Sequence, residues 1–173
     1  RLDDARIVIS TGQGGNPVDW ADVLTRALPL CDVVSPSLDD MRSALALPGL
    51  GAADAAGWLL DRGAAVVVVS DGPRGLVVRT AAGSRFAGAD GRGPAMLAAL
   101  PESWHQRQVE VPAAPGRVVQ TTGAGDAATA ALLASMHSGR SLEQGLDLVR
   151  AAAAHRVAGL GSLTALQDRG RPW

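Results

Sequence analysis

The run Ala64-Ala65-Val66-Val67-Val68-Val69 is apolar at every position. A strand with one solvated face alternates apolar and polar residues, so a run without alternation suits a central strand covered on both faces. That restricts the chain to folds that carry cover on two sides of a sheet. The flanking pattern supplies the cover. Residues 6–10 read as a buried strand leading into a loop at 11–17. Residues 19–28 have helical spacing, with Trp20, Val23, Leu24 and Leu28 on one side. Residues 31–35 form a second strand. A helix at 38–47 is capped by Ser37, and a helix at 52–60 is closed by Gly63. Strand alternating with helix predicts an α/β fold with a central, mostly parallel sheet flanked by helices.

Beyond the valine run, residues 75–80 and 83–86 read as two strands of a β-hairpin turning at Ala81-Ala82. Residues 88–106, rich in Gly, Ala and Pro, read as a loop insertion with a short helix at 96–100. Strands are expected at 109–111 and 117–120, and closing helices at 126–137 and 141–157. With neither linker nor repeat visible, residues 1–173 are read as one α/β domain.

Composition narrows the function. The 173 residues carry a net charge of -1, with 47% hydrophobic and 19% charged side chains. That balance excludes a disordered chain, and it provides no basic field for nucleic acid or an anionic membrane surface. No apolar run approaches the ~20 residues of a membrane span, and no signal peptide is visible from Arg1. All 16 basic residues are arginine, so P-loop and Schiff-base lysine chemistries are absent. His105, His137 and His155 show no metal-ligand spacing with the single Cys31. Cys31 reads as a buried small hydrophobe in a reducing, cytoplasmic setting. His137 and His155 read as helix-surface or helix-end groups, and the tryptophans as packing anchors.

Three segments follow strands. Thr121-Thr122-Gly123-Ala124-Gly125-Asp126 has small residues between a strand and a helix. Backbone N–H groups there converge at the positive end of the helix, an anion site. A carboxylate beside it repels a resting phosphate, but suits a base that deprotonates a hydroxyl about to attack that phosphate. The plain alternative is a glycine turn with a capping aspartate. Ser70-Asp71-Gly72-Pro73-Arg74-Gly75 places a hydroxyl and glycines where ligands bind open α/β sheets. Arg74 is within reach of a phosphate there. The alternative is a Gly-Pro turn between strands. In Ser35-Pro36-Ser37-Leu38-Asp39-Asp40, Ser37 and Asp40 face one way. Asp40 suits a hydrated magnesium ion, or the pair is a capping box variant.

The order and spacing of these segments resemble the C-terminal half of the ribokinase-like (PfkB) carbohydrate kinases, whose fold is a Rossmann-like sandwich. Residues 109–130 resemble that family's DTxGAGD signature and its lead-in. Ser70-x-Gly72-x-x-Gly75 resembles its nucleotide motif TxGxxG, and Pro36-Ser37-Leu38-Asp39-Asp40 an altered PNxxE. Residues 151–161 resemble its final alanine-rich helix and adenine-side loop. The resemblance implies a kinase that transfers phosphate from ATP with Mg2+ to a small sugar or sugar-like alcohol. Asp126 matches the base, and Gly123, Ala124 and Gly125 the anion hole. Ser70, Gly72 and Gly75 match the nucleotide loop, with Arg74, Ser37 and Thr122 beside it; Asp40 matches the metal-organising acid.

Gln120 stands where the family has an aspartate linked to a monovalent-cation site, which counts against K+ activation. Ala128 and Ala131 also depart from the family's usual phenylalanine and glycine. The family's N-terminal strands and β lid have no counterpart here, which leaves a sheet edge for the absent half or a second copy, a homodimer, to cover. Two rival readings remain: a non-catalytic relative binding a nucleotide or sugar phosphate for regulation, and an unrelated Rossmann-like dinucleotide binder. The latter lacks G-x-G-x-x-G after its first strand.

Overall fold

A computed structural model describes residues 7–8, 19–87 and 95–160. The predicted loop at 11–17, residues 88–94 of the insertion and residue 161 lie outside the described residues, as does most of the predicted strand at 6–10. Five strands form one sheet in chain order: β1 (Ile7–Val8), β2 (Val33–Val34), β3 (Val66–Ser70), β4 (Leu76–Thr80) and β5 (Gln108–Val111). β1, β2 and β3 are parallel, whereas β4 and β5 continue the sheet antiparallel. The three parallel strands therefore present their carboxyl ends on one edge.

The valine run forms β3 and is buried from end to end. Its side chains divide between two cores. Val66 and Val68 join Val78, Trp104, Leu132, Met136, Leu146 and Val149. The helices that cover this face are α6 (Ala124–His137) and α7 (Leu142–Val157). Val67 and Val69 join Leu28, Val34, Met41 and Leu59 on the other face, which is covered by α1 (Trp20–Ala27), α2 (Leu38–Ala44) and α3 (Ala52–Asp61). Each buried valine contributes roughly 1.5–3 kcal/mol relative to exposure, so losing either layer would strand half of β3.

Helix boundaries follow local chemistry. Ser37 accepts from the Asp40 amide and closes a capping box on α2, and Ser141 does the same for α7 with Gln144. Gly63 follows α3 in a left-handed conformation, φ +108°. Cys31 is buried, as expected.

Three expectations change. Residues 83–87 form α4 (Gly83–Ala87), not a strand. The edge of β4 they were to pair is taken by the lead-in to β5: the Thr80 amide donates to the Arg107 carbonyl at 2.9 Å, and the Gln106 amide to the Ala81 carbonyl at 2.8 Å. β4 instead forms its hairpin with β3, through the 70–75 connection. Residues 117–120 form no strand. The amides of Val119 and Gln120 both donate to the Val157 carbonyl at the end of α7, and Val118 and Val119 are exposed. His155 is buried rather than on the helix surface, and its Nε2 has no hydrogen-bond partner.

The insertion also carries structure. α5 (Ala95–Ala98) and a 3-10 turn precede β5, and the fully buried Trp104 donates its indole N–H to the Arg140 carbonyl at 2.8 Å. The short helix α4 is tied to the opposite end of the parallel strands. Arg85 donates from Nε to the Gly63 carbonyl at 3.1 Å and from Nη2 to the Cys31 carbonyl and Asp32 Oδ1. The Asp32 side chain is 7% exposed, and Arg85 is one of the groups that offset the cost of burying its carboxylate. Arg85→Ala is expected to cost about 2–4 kcal/mol, read as a lower urea midpoint at unchanged slope.

Candidate active site

The carboxyl ends of β2 and β3 bring two of the sequence segments together. Ser37 and Ser70 form a parallel bridge, and the Ser70 amide donates to the Pro36 carbonyl at 3.1 Å. The third segment reaches the same edge through α6. Thr129, three residues after Asp126 and buried, shares a 3.0 Å hydrogen bond with the hydroxyl of Ser35. Neither Ser35 nor Thr129 was singled out from the sequence. The available signal was a hydroxyl within the alanine-rich start of a helix, spaced to share a side with Asp126.

Asp40 and Asp126 both lie in the first turn of a helix, three residues after the N-cap, yet their carboxylates have different employment. Asp40 Oδ2 accepts from the Ser37 hydroxyl at 2.7 Å and from the Ser37 amide at 3.3 Å. The capping reading of this pair is therefore realised. The N-cap of α6 is Gly123, with φ +81° and no capping side chain. Asp126 is exposed and has no hydrogen-bond or ion-pair partner among the described residues. The capping-aspartate reading thus does not hold for Asp126, whose carboxylate makes no capping contact. Glycine at the N-cap accounts for the contrast: it adopts the left-handed turn and has no hydroxyl to engage the acid.

The 70–75 segment is the β3–β4 connection. The Asp71 amide donates to the Gly75 carbonyl at 2.8 Å, closing a 3-10 turn over Gly72–Arg74. Gly72 and Gly75 both have positive φ, +53° and +103°. A Cβ on Gly75 would fall 2.0 Å from the Val111 carbonyl oxygen and 2.7 Å from the Ala113 nitrogen, so glycine is required where the chain leaving β5 crosses. Arg74 turns back on Asp71 in a bidentate pair at 2.6 and 2.7 Å. Its hydrogen bonds and charge attraction to Asp71 raise the guanidinium pKa above its ordinary value. The reach toward a phosphate anticipated for Arg74 is thus engaged by its own loop.

Before α6, residues 119–123 rest on the last turn of α7. Beyond the Val157 carbonyl, the Gln120 side-chain amide lies against the Arg156 guanidinium, and in the amide orientation that satisfies both groups its oxygen accepts from Nη1 and from Nη2 at 3.2 Å. Arg156 Nε lies 3.0 Å from where a Cβ on Gly123 would sit. No feature of the sequence signals this contact. Thr121 and Thr122 are exposed on the same loop.

Residues 15–169 match the pfkB family of carbohydrate kinases. The chain belongs to that family. Solved structures agree on the fold. Aminoimidazole riboside kinase from Salmonella enterica, complexed with aminoimidazole riboside and an ATP analog, superposes with a TM-score of 0.63 at 23% identity, over 91% of this chain and 47% of its own. Ribokinase from Arabidopsis thaliana, complexed with ribose and ATP, gives 0.62 at 22% identity, over 93% and 44%. A provisionally assigned ribokinase II from E. coli, in complex with ATP and Mg2+, gives 0.55 at 23% identity, over 80% and 36%. No curated protein matches the chain. This pfkB chain spans less than half the length of these three kinases. Among its described residues no helix is long and apolar enough to cross a membrane.

The crossing at Gly75 yields a direct test. Gly75→Ala is expected to lower stability by roughly 1–3 kcal/mol through overpacking, whereas Gly72→Ala, with open space around its Cβ position, is expected to cost less. Paired urea titrations measure the difference.

Proposed function

We propose that the chain supplies the nucleotide-binding and base-bearing part of a kinase that phosphorylates a hydroxyl of a sugar or sugar-like small molecule with ATP. The observation that carries the reading is the unemployed carboxylate of Asp126, held in the first turn of a helix whose N-cap is a left-handed glycine. In this reading Asp126 takes the proton of the acceptor hydroxyl. The alkoxide oxygen attacks the γ-phosphorus in line, the new O–P bond forms as the bond to the β-phosphate oxygen breaks, and ADP leaves. In this reading the amides of Gly123 and Gly125 stabilise the charge that develops on the transferred group; the amide of Ala124, expected to join them, donates to the Thr121 carbonyl at 3.1 Å. Ser70, Gly72 and Gly75 line the strand-end loop for the nucleotide phosphates, with Ser37 bridged to Ser70 beside them.

The donor set bears on magnesium. No group of three or more His, Cys, Asp or Glu able to hold a metal exists among the described residues, and one oxygen of Asp40 is engaged in the α2 cap. That set fits an ion held through water and shared with nucleotide phosphates, the usual state of Mg2+, and not an all-protein cage. When bound, such an ion neutralises phosphate charge; Asp40 would orient its waters. The E. coli neighbour was solved with ATP and Mg2+, which supports the pairing.

The same engagement of Asp40 favours a second reading, a regulatory relative that binds nucleotide or sugar phosphate without turnover. ADP release over a panel of pentoses, hexoses, phosphorylated hexoses and nucleosides separates the two readings. Turnover with at least one acceptor, falling roughly 10²–10⁴-fold in Asp126→Asn, supports the kinase. Near-normal turnover in Asp126→Asn removes the base from the mechanism, and calorimetric ATP binding without ADP release on any acceptor favours the regulatory reading.

A further inference from the structure

The contact between α7 and the loop before α6 goes beyond what the family motifs assign. Five arginines among the described residues, Arg26, Arg42, Arg74, Arg85 and Arg107, each pair with a carboxylate. Arg156, like Arg79 on Gln108, is held instead by a neutral amide, that of Gln120, and no carboxylate pairs with it among the described residues. Its charge is therefore left intact beside Gly123, the residue whose left-handed backbone starts α6. The same turn of α7 fixes the backbone of this loop, through the Val157 carbonyl and the amides of Val119 and Gln120 at 2.9 and 3.2 Å. Side chain and main chain thus grip the loop from one helix end.

We infer that Arg156 is a positioning residue for the turn that starts α6 at Gly123, a fixed cation that spans Gln120 and Gly123 and holds the backbone against which a phosphoryl group would lie. The fork geometry matters. A guanidinium presents Nη atoms to Gln120 while its Nε edge stays against Gly123, whereas an ammonium is a point charge that cannot span both. The inference deepens the proposed function and rests on it for the role of the loop, but the clamp itself has a readout independent of catalysis.

The test is amide hydrogen exchange by mass spectrometry on the full chain, alongside turnover with the best acceptor. Arg156→Ala is expected to speed exchange at residues 119–126 at least ~10-fold and leave α1–α3 unchanged. It is also expected to lower kcat about 10–100-fold with little change in acceptor KM, the scale of a small misplacement of reacting groups. Millimolar guanidinium ion is expected to restore part of both losses, and Arg156→Lys to fall between wild type and Arg156→Ala. Gln120→Ala, on an exposed side chain that threatens folding less, is expected to reproduce the local exchange change. Unchanged exchange at 119–126 in both Arg156→Ala and Gln120→Ala overturns the clamp, as does acceleration spread equally over the chain. Locally altered exchange in a protein that releases no ADP with any acceptor leaves the clamp standing and rejects the kinase reading instead.

Discussion

The structure depends on β3 being apolar on both faces. Four consecutive valines have to be removed from water in two opposite directions, which obliges the chain to build one helical layer ahead of the strand and another after it. The early layer of α1–α3 comes from the crossovers between parallel strands. The late layer of α6 and α7 arrives only after the chain has turned back through β4 and β5. The site is a by-product of that arrangement. The parallel strands end together, and α6 is drawn across the sheet so that its first turns lie over the edge where Ser35 and Ser37 emerge. Burial thus places the chemistry, and the polar contacts at the strand ends refine its register.

Much of this was legible beforehand because the controlling signals are local. Ser37 and Ser141 marked helix starts by hydroxyl chemistry, Gly63 marked a helix end, and the valine run marked the central strand. The misread segments share one cause. Val118 and Val119 look like strand residues, but the amides of Val119 and Gln120 are satisfied by the Val157 carbonyl at a helix end, 38 positions after Val119. Residues 83–86 look extended, yet the strand edge they would need is claimed by Gln106 and Arg107. In both cases a distant partner decides which hydrogen bonds are on offer, and local propensity is overridden.

The site divides along the same line. Asp126 and its glycines, Ser70, Gly72, Gly75, Ser37 and Asp40 are candidates from sequence because each sits in a short run of recognisable spacing. The two aspartates nonetheless looked alike on paper, and only the structure separates a carboxylate folded into a cap from one left unpaired. The pairing of Arg74 with Asp71, the Ser35–Thr129 hydrogen bond and the seat of Arg156 against Gly123 each depend on where backbone and side chains come to rest. No spacing rule encodes those.

Gly75 is the point at which two loops touch. The main chain leaving β5 passes so close to it that there is no room for even one methyl group, and that same stretch runs on into the segment that ends at Gly123. The two loops therefore meet through main chain alone, without any side chain as intermediary, and they can lie this close because residue 75 carries no Cβ.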